Sequence, residues 1–402
     1  MNVITGGSIT AVPGILAAGM AAGIKKKSGL DMALIASEQE ATVAGVFTTN
    51  TIVAPPLILD RRRLRRGKGR AIIINSGNAN ACTGQRGYAD AVTMAALTAK
   101  ALGITPADVY VGSTGVIGKP LPMEKITAAI PLLAARLHRD GGEDAARAIM
   151  TTDLTLKTIA VSDRIGGRTV TMGGVAKGSG MIHPNMATML AYLATDAQIP
   201  RALLQRALRQ ATDRSFNRIP VDGDTSTNDM VLCLANGMAG NRTITAGSAD
   251  ARRFQSLLDY VCLDLAKKIA WDGEGATKFV ALRVQGARTE ADALRAAVTI
   301  ATSSLVKTAW FGEDANWGRI MAALGRSGAK VVEDRIAIMV GAVPIVCHGM
   351  GLGPDAETRA NTVMKAREFT VTVDLGVGRA DATVWTTDLT MDYIKINASY
   401  RS

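Results

Sequence analysis

Short apolar runs that end in turn residues alternate with longer stretches of helix formers along the whole chain. That alternation restricts the fold to packed layers of sheet and helix, an α/β or α+β sandwich. "AIIINSG" at 71–77 predicts a buried strand, and "ADAVTMAALTAKALG" at 89–103 a helix closed by glycine. "MEKITAAIPLLAARLH" at 123–138 predicts a helix that Pro131 kinks or splits. "GRTVTMGGVAKGSG" reads as a strand running into a glycine loop, and "PRALLQRALRQATDRSF" at 200–216 as a helix opened by proline. "FVALRVQG" at 279–286 alternates as a strand does, and Thr289 with Asp292 marks the N-cap of the next helix. "RIAIMVGAVPIV" and "REFTVTVDLGVG" add further strands, and no fixed-period repeat or low-complexity linker marks a domain boundary.

Composition then removes several classes of function. Of 402 residues 48% are apolar and 20% charged, which gives ample core and no segment biased toward disorder. Cys82, Cys233, Cys262 and Cys347 are widely spaced, with no metal-finger pattern, and read as reduced core residues of a cytoplasmic protein. "AVPGILAAGMAAGIKKK" is interrupted by Pro13 and glycines, with its lysines after the apolar run, so it does not read as a signal peptide. The net charge of +11 and "DRRRLRRGKGR" at 60–70 raise a nucleic-acid reading, but without stacking aromatics a solvated connecting loop is the plainer expectation. A positive field also favours small anionic substrates.

Three histidines, no GxSxG elbow, no GxxxxGK[ST] and no GxGxxG leave little material for a serine triad, nucleotide hydrolysis or dinucleotide binding. Attention falls on "KGSGMIHPNMATML" at 177–190, where a glycine loop meets Ala187, Thr188, Met189 and Leu190. Those four residues read as the buried start of a helix, with Thr188 as its cap. The other reading makes Thr188 a nucleophile. Its hydroxyl attacks the carbonyl of the small Ala187, the chain is cut, and the freed α-amine, titrating at about 7.7–8.0, serves as base. Local sequence alone favours the cap.

Two turns could offer N–H groups to an oxyanion. Thr114 and Gly115 in "GSTGVIG" supply a hydroxyl and an amide at one point, while the asparagines of "NSGNANACTG" more often satisfy loop backbone. "IPVDGDTSTND" at 219–229 reads as a hydrogen-bonded loop lining the site, and "WDGEGATKF" sets Glu274 between glycines, within reach of a ligand ammonium. "GEDANWGRI" reads as a structural turn around Trp317.

Together these stretches resemble the ornithine acetyltransferase (glutamate N-acetyltransferase) family of arginine biosynthesis. "GVFTTN", "NSGNAN", "STGVIG", "MTTD", "KGSGMIHPNMATML", "PVDGDTSTND", "DGEGATKF", "GEDANWGR" and "INASYRS" carry it over nearly the whole chain. The resemblance reverses the local preference at Thr188. It implies a layered fold shared with self-processing peptidases of the DmpA type. It also implies cleavage between Ala187 and Thr188 into chains 1–187 and 188–402, assembled as α2β2. Thr188 then takes acetyl from N-acetyl-L-ornithine, releases ornithine, and passes acetyl to L-glutamate to give N-acetylglutamate. Thr114 and Gly115 match the family's oxyanion hole. Thr151, Lys177, Thr188, Glu274, Asn397 and Ser402 match its substrate contacts. No metal or organic cofactor is implied, with acetyl-CoA as a candidate co-substrate, and neither nucleic acid nor membrane is an expected partner. The chain departs from the family pattern at Leu154, Leu156 and the terminal Ser402. The rival readings are a self-cleaving amidohydrolase or aminopeptidase with the same nucleophile, and a basic nucleic-acid-binding protein.

Overall fold

The structure is a computed structural model that describes residues 1–25, 29–183 and 189–399. Ala187, Thr188 and Ser402 lie outside the described residues. Among the described residues the strands form two sheets. The larger runs in space from Asn2–Val3 through Lys157–Ile165, Arg168–Lys177, Leu190–Thr195, Met230–Ala235, Met32–Phe47 and Lys68–Asn78 to Val109–Val116, with Ile15–Met20 also pairing on Met32–Phe47. The smaller orders Met350–Gly351, Val343–Cys347, Ala337–Val340, Glu368–Asp374, Phe279–Ala287 and Ala380–Thr387. Helices pack on both, giving the layered α/β arrangement that the alternation required.

The larger sheet is buried on both faces, and period two decides which side chain goes where. Ala191 and Leu193 join Val231 and Cys233 in a core closed by the helices Arg201–Arg214 and Ala249–Trp271. Leu190, Tyr192 and Ala194 join Leu232 and Ile74 in a second core on the opposite face. This corrects one expectation. "LAYLAT" is a strand and not the start of a helix, so a helix cap at Thr188 has no helix to cap. A strand covered on both faces loses its alternation and reads like a buried helix.

Other expectations shift by smaller amounts. The strand at 71–77 extends over Lys68–Asn78, and Thr289 accepts the Asp292 N–H at 3.1 Å as cap of Glu290–Ala301. The helix through Pro131 is not split; it covers Met123–Ala134 and stops short of 138. The basic run is no solvated loop: Pro55–Arg63 is helical and a strand begins at Lys68. Its charges also find partners within the chain. Arg63 is buried and donates to the Val109 carbonyl, Arg62 lies 5.2 Å from the Tyr88 ring, and Arg66 pairs with Asp108 at 3.0 Å. Of the four free cysteines, Cys82 and Cys347 are exposed and only Cys233 and Cys262 are core residues. Among the described residues no helix is long and apolar enough to cross a membrane.

The smaller sheet holds an unusual tie. Lys307, on the helix Ser304–Phe311, is buried and donates to the Thr387 carbonyl and to the hydroxyls of Thr387 (3.1 Å) and Thr386 (3.3 Å). Burial pulls its pKa from 10.5 down to about 8. Below pH 8 the folded chain therefore carries a desolvated ammonium at a cost of about 3 kcal/mol, and that cost disappears as pH rises from 8 to 10.5. Lys307→Met should thus gain on the wild type by about 3 kcal/mol more at pH 7 than at pH 10.5. Urea unfolding at both pH values checks this, and an equal difference at the two would contradict it.

Candidate active site

The cleft is built where two parallel strands end. Lys68–Asn78 and Val109–Val116 run side by side, Ser76 opposite Thr114 and Gly77 opposite Gly115, and the register slips at Asn78. That slip opens the strand ends. Asn78 reaches over with its side-chain amide to the carbonyls of Lys119 (3.3 Å) and Pro120 (3.0 Å), while the Asn75 amide donates to Asn78 O at 2.8 Å. The asparagines hold loop backbone, as expected of them. Gly115 sits at φ 131°, where L side chains are strained, and a Cβ there would come within 2.5 Å of Asn78 N.

Lys177 enters from the other side, at the end of Arg168–Lys177. Its ammonium is buried, donating to Thr151 Oγ1 at 2.8 Å and Thr114 Oγ1 at 3.4 Å, with Asp153 Oδ2 at 3.9 Å. Burial lowers its pKa, Asp153 raises it, Lys157 lowers it, and Glu274 and Asp229 raise it, for a net fall from 10.5. Asp153 itself is buried, yet Lys177 and Lys157 together with the Gly178 N–H at 2.7 Å hold it well below the ordinary carboxylate range. The result is a cation in a nearly dry wall.

An anion faces it. Glu274 follows the C-terminus of the helix Ala249–Trp271, and its N–H donates to Ser179 O at 3.0 Å. Gly180 makes room for the carboxylate, since a Cβ there would lie 2.6 Å from Glu274 Oε1. Asn397, on the helix Met391–Ser399, donates to Glu274 Oε2 at 2.9 Å. The helix Met391–Ser399 thus folds back onto the cleft. Thr114, Gly115, Thr151, Lys177, Glu274 and Asn397 all line one open cleft, together with Ser226 and Asn228.

The segment before the cleft is held under strain. Met181 has φ 58°, and the Asp222 carboxylate accepts the N–H groups of Met181 (2.6 Å) and Ile182 (2.8 Å). The described chain resumes at Met189, whose N–H donates to Asp229 Oδ1 at 2.8 Å, and Leu190 pairs with Lys177. Burial pushes the Asp229 carboxyl well above its usual value, against the pull of Met189 and Lys177.

Reading the sequence missed three members of this arrangement. Asp153 and Lys157 look like surface charges in the chain but are buried behind Lys177. Asn228 closes the cleft floor, donating to Ala79 O at 2.6 Å and Ser113 O at 2.9 Å. The only signal for it was the polar run at 219–229, read as a loop lining the site. Leu154, one of the departures from the family pattern, is 82% exposed, and only its backbone takes part, donating to Asp272 Oδ2 at 2.9 Å. "GEDANWGRI" is structural as expected, Asn316 capping Trp317–Gly325 and the Trp317 indole donating to Glu357 at 3.0 Å. Chemically the cleft offers a cation, an anion, the hydroxyls of Thr114, Thr151, Thr152 and Ser226 and the backbone of Gly115, the means to bind an amino acid and to steady a developing oxyanion.

Comparison with known proteins decides the family. The ArgJ family matches residues 16–402. The chain belongs to the ArgJ family. A relative from Symbiobacterium thermophilum, named arginine biosynthesis bifunctional protein ArgJ, is 53% identical over 398 residues, 98% of this chain and 99% of its own. The Geobacter sulfurreducens protein of the same name is 52% identical over 97% of this chain and all of its own. Among solved structures, the Bacillus halodurans protein described as ArgJ is 45% identical, with a TM-score of 0.49, and covers 51% of this chain and 96% of its own. An ornithine acetyltransferase from Mycobacterium tuberculosis, complexed with ornithine, is 39% identical, with a TM-score of 0.42, over 45% of this chain and 97% of its own.

Proposed function

We propose that the protein is a glutamate N-acetyltransferase of arginine biosynthesis, moving acetyl from N2-acetyl-L-ornithine to L-glutamate through an acetyl-Thr188 intermediate. The observation that carries this reading is the convergence of Thr114, Gly115, Thr151, Lys177, Glu274 and Asn397 on one cleft. Family membership and the names of the relatives support the pathway.

Maturation comes first. The Thr188 hydroxyl attacks the Ala187 carbonyl, the C–N bond breaks in favour of an ester, and water hydrolyses it, leaving chains 1–187 and 188–402. The products stay one body, because Leu190–Thr195 from the second lies between Arg168–Lys177 from the first and Met230–Ala235 from the second. We further propose that two such pairs assemble as α2β2.

In catalysis the α-amine of Thr188 takes the hydroxyl proton as the oxygen attacks the acetyl carbonyl of the donor. Thr114 Oγ and the Gly115 N–H donate to the oxyanion. The tetrahedral adduct collapses, the C–N bond breaks, and ornithine leaves with the returned proton. Glutamate's amine then attacks the ester and regenerates the threonine. Lys177 and Thr151 meet the α-carboxylate of each amino acid, Glu274 and Asn397 meet the ornithine side-chain amine, and Ser402, outside the described residues, is the further substrate contact that the family resemblance implies. The relatives' name "bifunctional" supports a second activity, for which we propose acetyl-CoA as an acetyl donor to glutamate.

The test is an assay of the purified enzyme with N-acetylornithine and glutamate. N-acetylglutamate formed with ping-pong kinetics supports the transferase. Free acetate formed at the same rate with or without glutamate would make the protein a hydrolase. Because Asn397 contributes one hydrogen bond to a charged group, Asn397→Ala should raise KM for N-acetylornithine about tenfold and leave KM for glutamate nearly unchanged. Equal effects on both would contradict the assignment of Asn397 to the ornithine amine.

A further inference from the structure

Behind the cleft lies a buried ionic cluster that the reaction above does not use. Lys157 is fully enclosed, and its ammonium donates to Asp153 Oδ1 at 2.7 Å, Asp272 Oδ2 at 2.6 Å and Thr155 O at 3.1 Å. Each carboxylate then holds a different part of the cleft. Asp153 accepts the N–H groups of Thr151 (3.0 Å) and Gly178 (2.7 Å), on either side of Lys177. Asp272 accepts those of Leu154 (2.9 Å) and Thr155 (3.1 Å), and stands two residues before Glu274. The Thr152 and Ser179 hydroxyls, 2.9 Å apart, close the loop between the two. A solvated face would not bury four charges within a few ångströms, and a core would be served better by apolar side chains.

We propose that Asp153, Lys157 and Asp272 form an ionic staple that fixes the separation between the Lys177 ammonium and the Glu274 carboxylate, and so sets the length of amino-acid donor the cleft accepts. The inference rests on the acetyltransferase reading for its substrates. Asp153, Lys157 and Asp272 are positioning residues, since they act through Lys177 and Glu274. The same geometry gives the staple an electrostatic signature. Lys157 and Lys177 share Asp153, and the other groups bearing on Lys177 are Glu274, Asp229 and Lys25. Removing the shared anion leaves two buried ammonium groups facing each other. Removing Lys157 leaves Asp153 to Lys177 alone.

Asp153→Asn and Lys157→Met therefore shift Lys177 in opposite directions. The titration of Lys177, read by competitive acetic anhydride labelling and mass spectrometry, should fall by about one pH unit or more in the first variant and rise in the second. The alkaline limb of kcat/KM should follow it. In both variants the preference for N-acetylornithine over the homologous N-acetyllysine, one methylene longer, should fall about tenfold. Lys157→Arg, which keeps the cation, should restore both readouts. If Asp153→Asn does not yield folded protein, Asp272→Asn tests the same claim. It turns Lys157 wholly onto Asp153, so Lys177 should shift down and the donor preference should relax. A common direction of shift in Asp153→Asn and Lys157→Met, or a donor preference unchanged in folded variants, would overturn the staple. If the wild type moves no acetyl group, the acetyltransferase reading fails, while the labelling of Lys177 still decides the staple.

Discussion

Thr188→Ala should leave a single uncut 42.0 kDa chain and lower acetyl transfer by a factor of about 10⁴ or more, the scale on which loss of a nucleophile acts. Both effects share one cause. In the mechanism we propose, the hydroxyl that attacks Ala187 during maturation is the hydroxyl that later carries acetyl. Thr188→Ser keeps a hydroxyl and should still cut, more slowly, which separates loss of chemistry from loss of fold. The helix-cap alternative predicts something different. A cap lost to alanine costs about 1 kcal/mol of stability and leaves catalysis intact. The strand at Leu190–Thr195 already removes the structural basis for that alternative.

The second large effect is expected at Thr114 and Gly115, the oxyanion hole we propose. Gly115→Ala places a Cβ 2.5 Å from Asn78 N and 2.7 Å from Gly77 Cα, atoms of the neighbouring strand's backbone that no rotamer change can move away. The residue must also hold φ near 131°, so strain adds to the clash. The strand ends have to part, and Thr114 moves with them. We expect kcat to fall by about 10³ while KM changes little, as for a group that acts in the transition state. Thr114→Val, which removes only the hydroxyl, should cost about 10² to 10³ in kcat, and Thr114→Ser should recover most of it. Stopped-flow or steady-state assays with N-acetylornithine give the split. A Thr114→Val enzyme with unaltered kcat would take Thr114 out of the oxyanion hole.

Much of the fold was legible because its signals are local. The glycine-terminated helix formers before Gly103, the Thr289 cap and the apolar run at Ile72–Ile74 each carry their own structural cue, and the structure has an element at each. Leu190–Thr195 was illegible for a physical reason: both faces are buried, so nothing polar interrupts the run. The basic run failed as a loop because Arg63 turns inward to a backbone carbonyl, a partner that sequence does not display.

The cleft was legible only through motifs. Thr114, Lys177, Glu274 and Asn397 come from distant parts of the chain, and no local rule predicts their meeting; the resemblance did. It named residues expected to contact substrate and was silent on what holds them. Asp153 and Lys157 escaped because a charged pair at this spacing usually lies on a surface, whereas here both side chains are fully buried.

The most direct test of the central claim is the intact mass of purified enzyme before and after brief exposure to N-acetylornithine without glutamate, with N-terminal sequencing of each fragment. The account predicts two fragments, beginning at Met1 and Thr188, of which only the second gains the mass of one acetyl group and loses it again when glutamate is added. A single uncut 42.0 kDa chain that transfers acetyl at full rate would contradict it, as would acetyl carried on any residue other than Thr188.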